Sequence, residues 1–94
     1  MLLITRNPLF PLGEVVITSN AFNSLTPEDV QAGLSRHASG DWGSICPDDA
    51  ILNDEALKCG DRLLSSYNGL DGTTFWIITE SDRSVTTILL PEDY

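Results

Sequence analysis

The chain has 94 residues, of which 41% are hydrophobic, a length that holds one domain around a thin core. Fourteen Asp and Glu against five Lys and Arg give a net charge of −9, a field that repels phosphate backbones and anionic lipid and so argues against direct nucleic-acid or membrane binding. Two cysteines are too few for a disulfide scaffold, no apolar run approaches the roughly 20 residues that span a bilayer, and Met1 to Arg6 lacks the charged and long apolar regions of a secretory leader; a cytoplasmic setting with reduced thiols is expected.

Residues 1–13 carry Pro8, Pro11 and Gly13 among apolar neighbours, which predicts an extended N-terminal arm packed on the core. Residues 14–60 read as one strand followed by helices. Glu14 to Thr18 is short and β-branched, a strand pattern, and Asn20 is placed to cap a short helical turn through Leu25. Thr26-Pro-Glu-Asp29 is a helix start, with a capping hydroxyl, a proline in the first turn and two acids at the positive end of the dipole. Val30, Leu34 and Ala38 then recur at four-residue spacing, and Gly40 stops the helix. A second helix begins near Pro47, with Leu52, Ala56 and Cys59 predicted on its inner face, Asp48, Asp49, Asp54 and Glu55 outward, and Gly60 as terminator.

From residue 61 to residue 94 the period becomes alternating. Arg62 to Tyr67, Thr73 to Thr79 and Ser84 to Leu90 read as three strands, joined by turns at Asn68 to Gly72 and Glu80 to Arg83 and ended by Pro91. The expected fold class is therefore α+β: an antiparallel meander of three to four strands, the fourth being Val15 to Ile17, packed against two or three short helices. Phe75, Ile77 and Thr79 point to one side of their strand, and Trp76, Ile78 and Glu80 to the other. Large apolar groups on both sides predict a central strand, whose second face the N-terminal arm or a partner chain would cover.

His37 is the single histidine, so any general-base or metal chemistry must pass through it. Its place in the last helical turn, where the dipole favours a charged imidazole, predicts a capping or partly buried structural role. His37, Asp41, Cys46 and Cys59 match no closed zinc spacing, and neither metal nor cofactor is expected. Cys59 reads as a packing residue and Cys46 as a weak N-cap. Trp42, between Gly40 and Gly43, either plugs the domain or meets a partner. Glu80, Asp82 and Arg83 suit a hydrogen-bonded turn network. The order of Asp61 to Leu64, Phe75 to Glu80 and Ser84 to Ile88 also loosely resembles the closing sheet of barnase-type ribonucleases; that resemblance implies catalytic roles for His37, Glu80 and Arg83, against the charge of −9.

Taken together, Leu9 to Gly13, His37 to Gly43, Arg62 to Ser65, Asp71 to Thr73 and Trp76 to Tyr94 resemble a family of small plasmid- and phage-borne proteins, often labelled plasmid-related or type I restriction endonuclease subunit M. The resemblance implies a mobile-element origin and a protein that acts on host machinery. The restriction-methylase label fits neither the length nor the motifs, because no cofactor loop or methylase motif is present. The expected function is a non-enzymatic binding module, an anti-CRISPR or anti-restriction inhibitor acting on the basic, nucleic-acid-binding surface of a host or defence-system protein. Asp48, Asp49, Asp54, Glu55 and Trp42 are the expected contacts. The alternatives are the small endoribonuclease and a homo-oligomeric accessory protein, with a homodimer as its simplest form.

Overall fold

A computed structural model describes residues 8–94. The chain runs β1 (Glu14–Ile17), α1 (Ser19–Ser24), α2 (Pro27–Ala38), α3 (Pro47–Cys59), β2 (Leu63–Asn68), β3 (Thr74–Thr79) and β4 (Val85–Leu89), and ends in a 3-10 turn at Pro91–Asp93. The fold is α+β, with the four strands in the order β1-β4-β3-β2. The part of the predicted N-terminal arm before residue 8 lies outside the described residues.

The three C-terminal strands form the expected antiparallel meander, with Ser65 opposite Ile77 and Ile77 opposite Ile88. The fourth strand differs from expectation: β1 lies parallel to β4, with Ile17 opposite Ile88, so the sheet is mixed. Residues 18–62 carry three helices from one edge of the sheet to the other. A connection of that length allows a parallel arrangement that a hairpin turn cannot make.

Local chemistry sets the helix boundaries. Thr26 Oγ1 accepts the Asp29 N–H at 3.1 Å and starts α2 as predicted. The cap of α1 is Thr18, whose Oγ1 accepts the Ala21 N–H at 3.2 Å. Asn20, expected in that role, instead donates its side-chain N–H to Asp93 Oδ1 at 2.7 Å and helps hold the C-terminal turn against the start of α1. The α2 stripe of Leu34 and Ala38 is buried as expected, and Gly33 lets the helix approach β3 so closely that a Cβ there would stand 2.8 Å from the Phe75 ring.

Helix α3 is turned relative to the predicted face. Its buried residues are Asn53 and Ala56, while Leu52 is 60% exposed and Cys59 is also exposed. The reason is a polar side chain in a core position: the Asn53 amide donates to the Leu64 carbonyl at 2.7 Å, and the Leu64 N–H donates to Asn53 Oδ1 at 3.3 Å. This pair locks the helix to the outer edge of β2. Cys59 is accordingly at the surface rather than in the core, and its thiol donates to Asp61 Oδ2 at 3.2 Å. Cys46 occupies the N-cap position of α3 but makes no side-chain cap bond.

The rest of the β2 edge is covered by the loop before α3. Ser66 donates its N–H to the Trp42 carbonyl at 3.1 Å and accepts the Ser44 N–H at 2.7 Å, so the strand offers no open ladder there. Gly43 sits between these bonds at a φ of 75°, and a Cβ would overlap the Ser66 carbonyl oxygen. Gly43→Ala is expected to cost at least about 2 kcal/mol, from backbone strain and loss of the edge pairing, measured as a lowered urea midpoint.

Helices α1 and α2 lie on one face of the sheet, and α3 flanks it along the β2 edge. On that face Ala21, Leu25 and Leu34 meet Tyr67, Phe75, Ile77 and Ile88, and a second cluster joins Phe10, Trp42, Ala56 and Leu63. Strand β3 is interior, as its two apolar faces predicted. Among the described residues the arm does not reach the second face. Phe10 packs on the helix side, its ring 5.3 Å from His37 and 6.4 Å from Trp42. On the other face the tail packs instead, with Tyr94 5.8 Å from Trp76.

Candidate functional site

The residues singled out from the sequence separate into a buried polar chain and an exposed acidic helix. His37 has no exposed surface. Its Nδ1 lies 2.5 Å from Ser65 Oγ and its Nε2 lies 2.8 Å from Thr79 Oγ1. Thr79 Oγ1 is in turn 2.8 Å from Thr86 Oγ1, and the Thr86 hydroxyl donates to the Leu12 carbonyl at 2.7 Å. That carbonyl can only accept, which orients the whole chain. Thr79 donates to Thr86, the His37 Nε2–H donates to Thr79, and Ser65 donates to Nδ1. The Nε2 nitrogen therefore carries a proton, and in the neutral ring that burial favours Nδ1 is the acceptor.

Burial pushes the His37 pKa down to about 4, and the positive Arg83 nearby adds to the shift. Phe10 and Trp42 stand edge-on to the ring at 5.3 and 5.7 Å. Where the sequence predicts a capping or partly buried structural imidazole, the ring is wholly buried and neutral, because desolvation outweighs the dipole. Chemically, His37 is a hub that joins α2 to β2, β3 and, through Thr86, to the arm.

Arg83 is also structural in its contacts. It holds a φ of 60° in the β3–β4 turn, and its guanidinium donates to the carbonyls of Asp61 at 2.6 Å, Glu80 at 3.1 Å and Ala56 at 3.1 Å. It thereby ties the end of α3 and the loop after it to the β3–β4 turn, adding a charged donor to carbonyls of which those of Ala56 and Glu80 also accept backbone N–H groups. The Glu80 side chain turns elsewhere, to Arg62 at 3.8 Å. The ribonuclease-like trio of His37, Glu80 and Arg83 thus shares no open cleft: the histidine is sealed, and the other two are committed to separate partners. Asp82 keeps the expected turn network, accepting from both the backbone and the hydroxyl of Ser84.

The metal-ligand set considered from sequence is not brought together. Cys46 and Cys59 stand at opposite ends of α3, roughly 20 Å apart for a helix of 13 residues. Among the described residues no group of three or more His, Cys, Asp or Glu side chains is placed to hold a metal. Nor, among them, is any helix long and apolar enough to cross a membrane.

Asp48, Asp49, Asp54 and Glu55 are all exposed on α3, as predicted. Trp42 is not with them at the surface. It is 5% exposed, and its indole N–H donates to Asp54 Oδ1 at 3.0 Å, so the ring plugs the space beneath α3. Asp41, at the edge of the acidic stretch, is paired with Arg36 at 2.8 Å, and that hydrogen bond holds its carboxyl below the usual range. The acidic helix also carries two exposed aliphatic residues missed from sequence, Ile51 at 56% and Leu52 at 60%. Beside them Asp49, Leu52, Asn53, Arg62 and Leu64 line a cleft of about 270 Å³. Acidic charge and apolar surface therefore meet along the β2 side of the molecule. No protein-family model, no curated protein and no solved structure matches the chain.

Proposed function

We propose that this chain is a non-enzymatic binding module of a mobile element, carried on a plasmid or phage, that acts in the cytoplasm. Its acidic face docks on the basic, nucleic-acid-binding surface of a host or defence-system protein and blocks it, as an anti-CRISPR or anti-restriction factor would. The observation that carries this reading is the exposure of Asp48, Asp49, Asp54 and Glu55 on one helix of a protein with a net charge of −9. Such a surface attracts Lys- and Arg-rich grooves and repels nucleic acid itself. The only histidine is sealed in the core, which leaves general acid–base chemistry without its usual side chain.

The test is affinity capture from host lysate at low and moderate salt, with the partner then purified. A variant carrying Asp48→Asn, Asp49→Asn, Asp54→Asn and Glu55→Gln keeps the oxygen that accepts the Trp42 indole N–H. It is expected to bind the purified partner at least about tenfold more weakly, with a shallower dependence on salt. Equal binding by the variant, or no basic protein retained at either salt, would sink the proposal.

A further inference from the structure

We infer that the docking surface extends from the acidic helix onto the helix-free face of the sheet, where a basic amphipathic helix of the partner protein lies. This rests on the binding function proposed above and names the part of the partner that the site takes. One face of the sheet carries α1 and α2, with α3 along the β2 edge, whereas strand alternation places Val16, Leu64, Trp76, Ile78, Thr87 and Leu89 on the other. The C-terminal turn and Tyr94 reach that face, α3 borders it at Leu64, and Tyr94 is itself 69% exposed. Of the strand residues on this face Ile78 is 2% and Leu89 5% exposed, while Val16, Leu64, Trp76 and Thr87 are half-buried.

The apolar track does not end at the sheet edge. Leu64 also lines the cleft of about 270 Å³ beside α3, and the opposite wall of that cleft is Leu52 and Asp49. An apolar strip thus runs from Trp76 through Leu64 to Leu52 and meets the acidic helix. Charge complementarity selects the occupant. Glu14, Asp49, Glu80 and Glu92 stand on the elements that border this surface, and the one cation in the cleft, Arg62, is 3.8 Å from Glu80. An apolar floor with an acidic rim matches a segment with a Leu-like stripe flanked by Lys and Arg. Four strands at about 4.8 Å spacing are wide enough for a helix about 10 Å across. A second copy of this chain would bring another charge of −9 against the same rim.

The experiment titrates the isotope-labelled full chain with three synthetic peptides: an amphipathic Leu/Lys helix, a Lys/Ser peptide of equal charge, and a Leu/Glu helix. The Leu/Lys helix is expected to bind saturably and to shift the amides of Leu64, Trp76 and Thr87, while the other two bind at least about tenfold more weakly. Thr87→Arg, which places a cation on the face, is expected to weaken Leu/Lys binding about tenfold, and Leu52→Ser, at an exposed position, about threefold. If Thr87→Arg does not fold, Leu52→Ser and the shift map of the unaltered chain decide the matter. Equal binding of the Leu/Lys and Lys/Ser peptides, with shifts confined to α3, would overturn the sheet-face site while leaving the acidic-helix function standing. Binding by neither would count against both. Concentration-dependent dimerisation that the Leu/Lys peptide cannot reverse would assign the face to a second copy and overturn the inference.

Discussion

Between pH 6.5 and pH 4 the protein is expected to lose about 3 kcal/mol of stability through His37 alone. The ring is neutral and buried in the fold, where its pKa is lowered to about 4, whereas in the unfolded chain it titrates near 6.5. The unfolded state therefore takes up a proton first as the pH falls. His37's contribution is complete above pH 6.5, declines through the window, and has gone below about pH 4. Asp41, Asp71, Asp82 and Asp93 act in a different range. Hydrogen bonds hold each below the usual carboxylate value of 3.8, so the stability they add persists above that value and is lost only as the pH falls through their lower folded values. Urea unfolding at several pH values separates the two groups. The unaltered chain should show a steep decline from pH 6.5 to 4, and His37→Gln a lower but nearly flat stability over the same window. Parallel slopes in the two proteins would mean that another group titrates.

Arg83→Ala is expected to destabilise the fold by about 3 kcal/mol, although the residue is only partly buried. One guanidinium serves the carbonyls of Ala56, Asp61 and Glu80, which belong to the end of α3, the loop after it and the β3–β4 turn. Losing it removes three charge-assisted hydrogen bonds at once and releases the turn from the helix. The backbone offers an internal control. Because Arg83 has a φ of 60°, alanine would add no relief of strain, whereas glycine adopts that conformation freely. Arg83→Gly should therefore be about 1 kcal/mol less damaging than Arg83→Ala. Thermal midpoints give the ranking, and faster amide exchange at Leu57 to Gly60 locates the effect. A neutral Arg83→Ala, or a glycine variant worse than the alanine one, would contradict this role.

The sequence patterns that proved legible were those enforced by local chemistry. Thr26, Pro27 and the Val30, Leu34 and Ala38 stripe mark α2 in the local sequence, and alternation in β3 shows both its faces. Helix α3 was harder because Asn53, a polar residue, holds the inward position through its pair with Leu64. A pattern of hydrophobic spacing counts such a residue as outward and so turns the helix by about one position. The same misassignment hid Leu52, which belongs to the surface.

His37 drew attention as the sole candidate for chemistry, yet its role was encoded elsewhere. Ser65, Thr79 and Thr86 occupy inward strand positions where apolar residues would be the default, and three hydroxyls on one inner face signal a buried polar partner. The parallel placement of β1 could not be seen locally, since the helical excursion, rather than the strand, determines its direction. On the surface, the acids of α3 were legible from composition and register. The apolar track they border emerges only once the two faces of the sheet are known to be unequally covered.

The most direct test of the central claim is calorimetric titration of the chain into the purified basic partner, with and without a duplex DNA competitor that fills the partner's nucleic-acid groove. Binding should be strong and salt-dependent, lost when the duplex is present, and at least about tenfold weaker for the variant in which Asp48, Asp49, Asp54 and Glu55 are neutralised. Binding that is indifferent to the duplex and unchanged in that variant would show that the acidic face is not what the partner recognises.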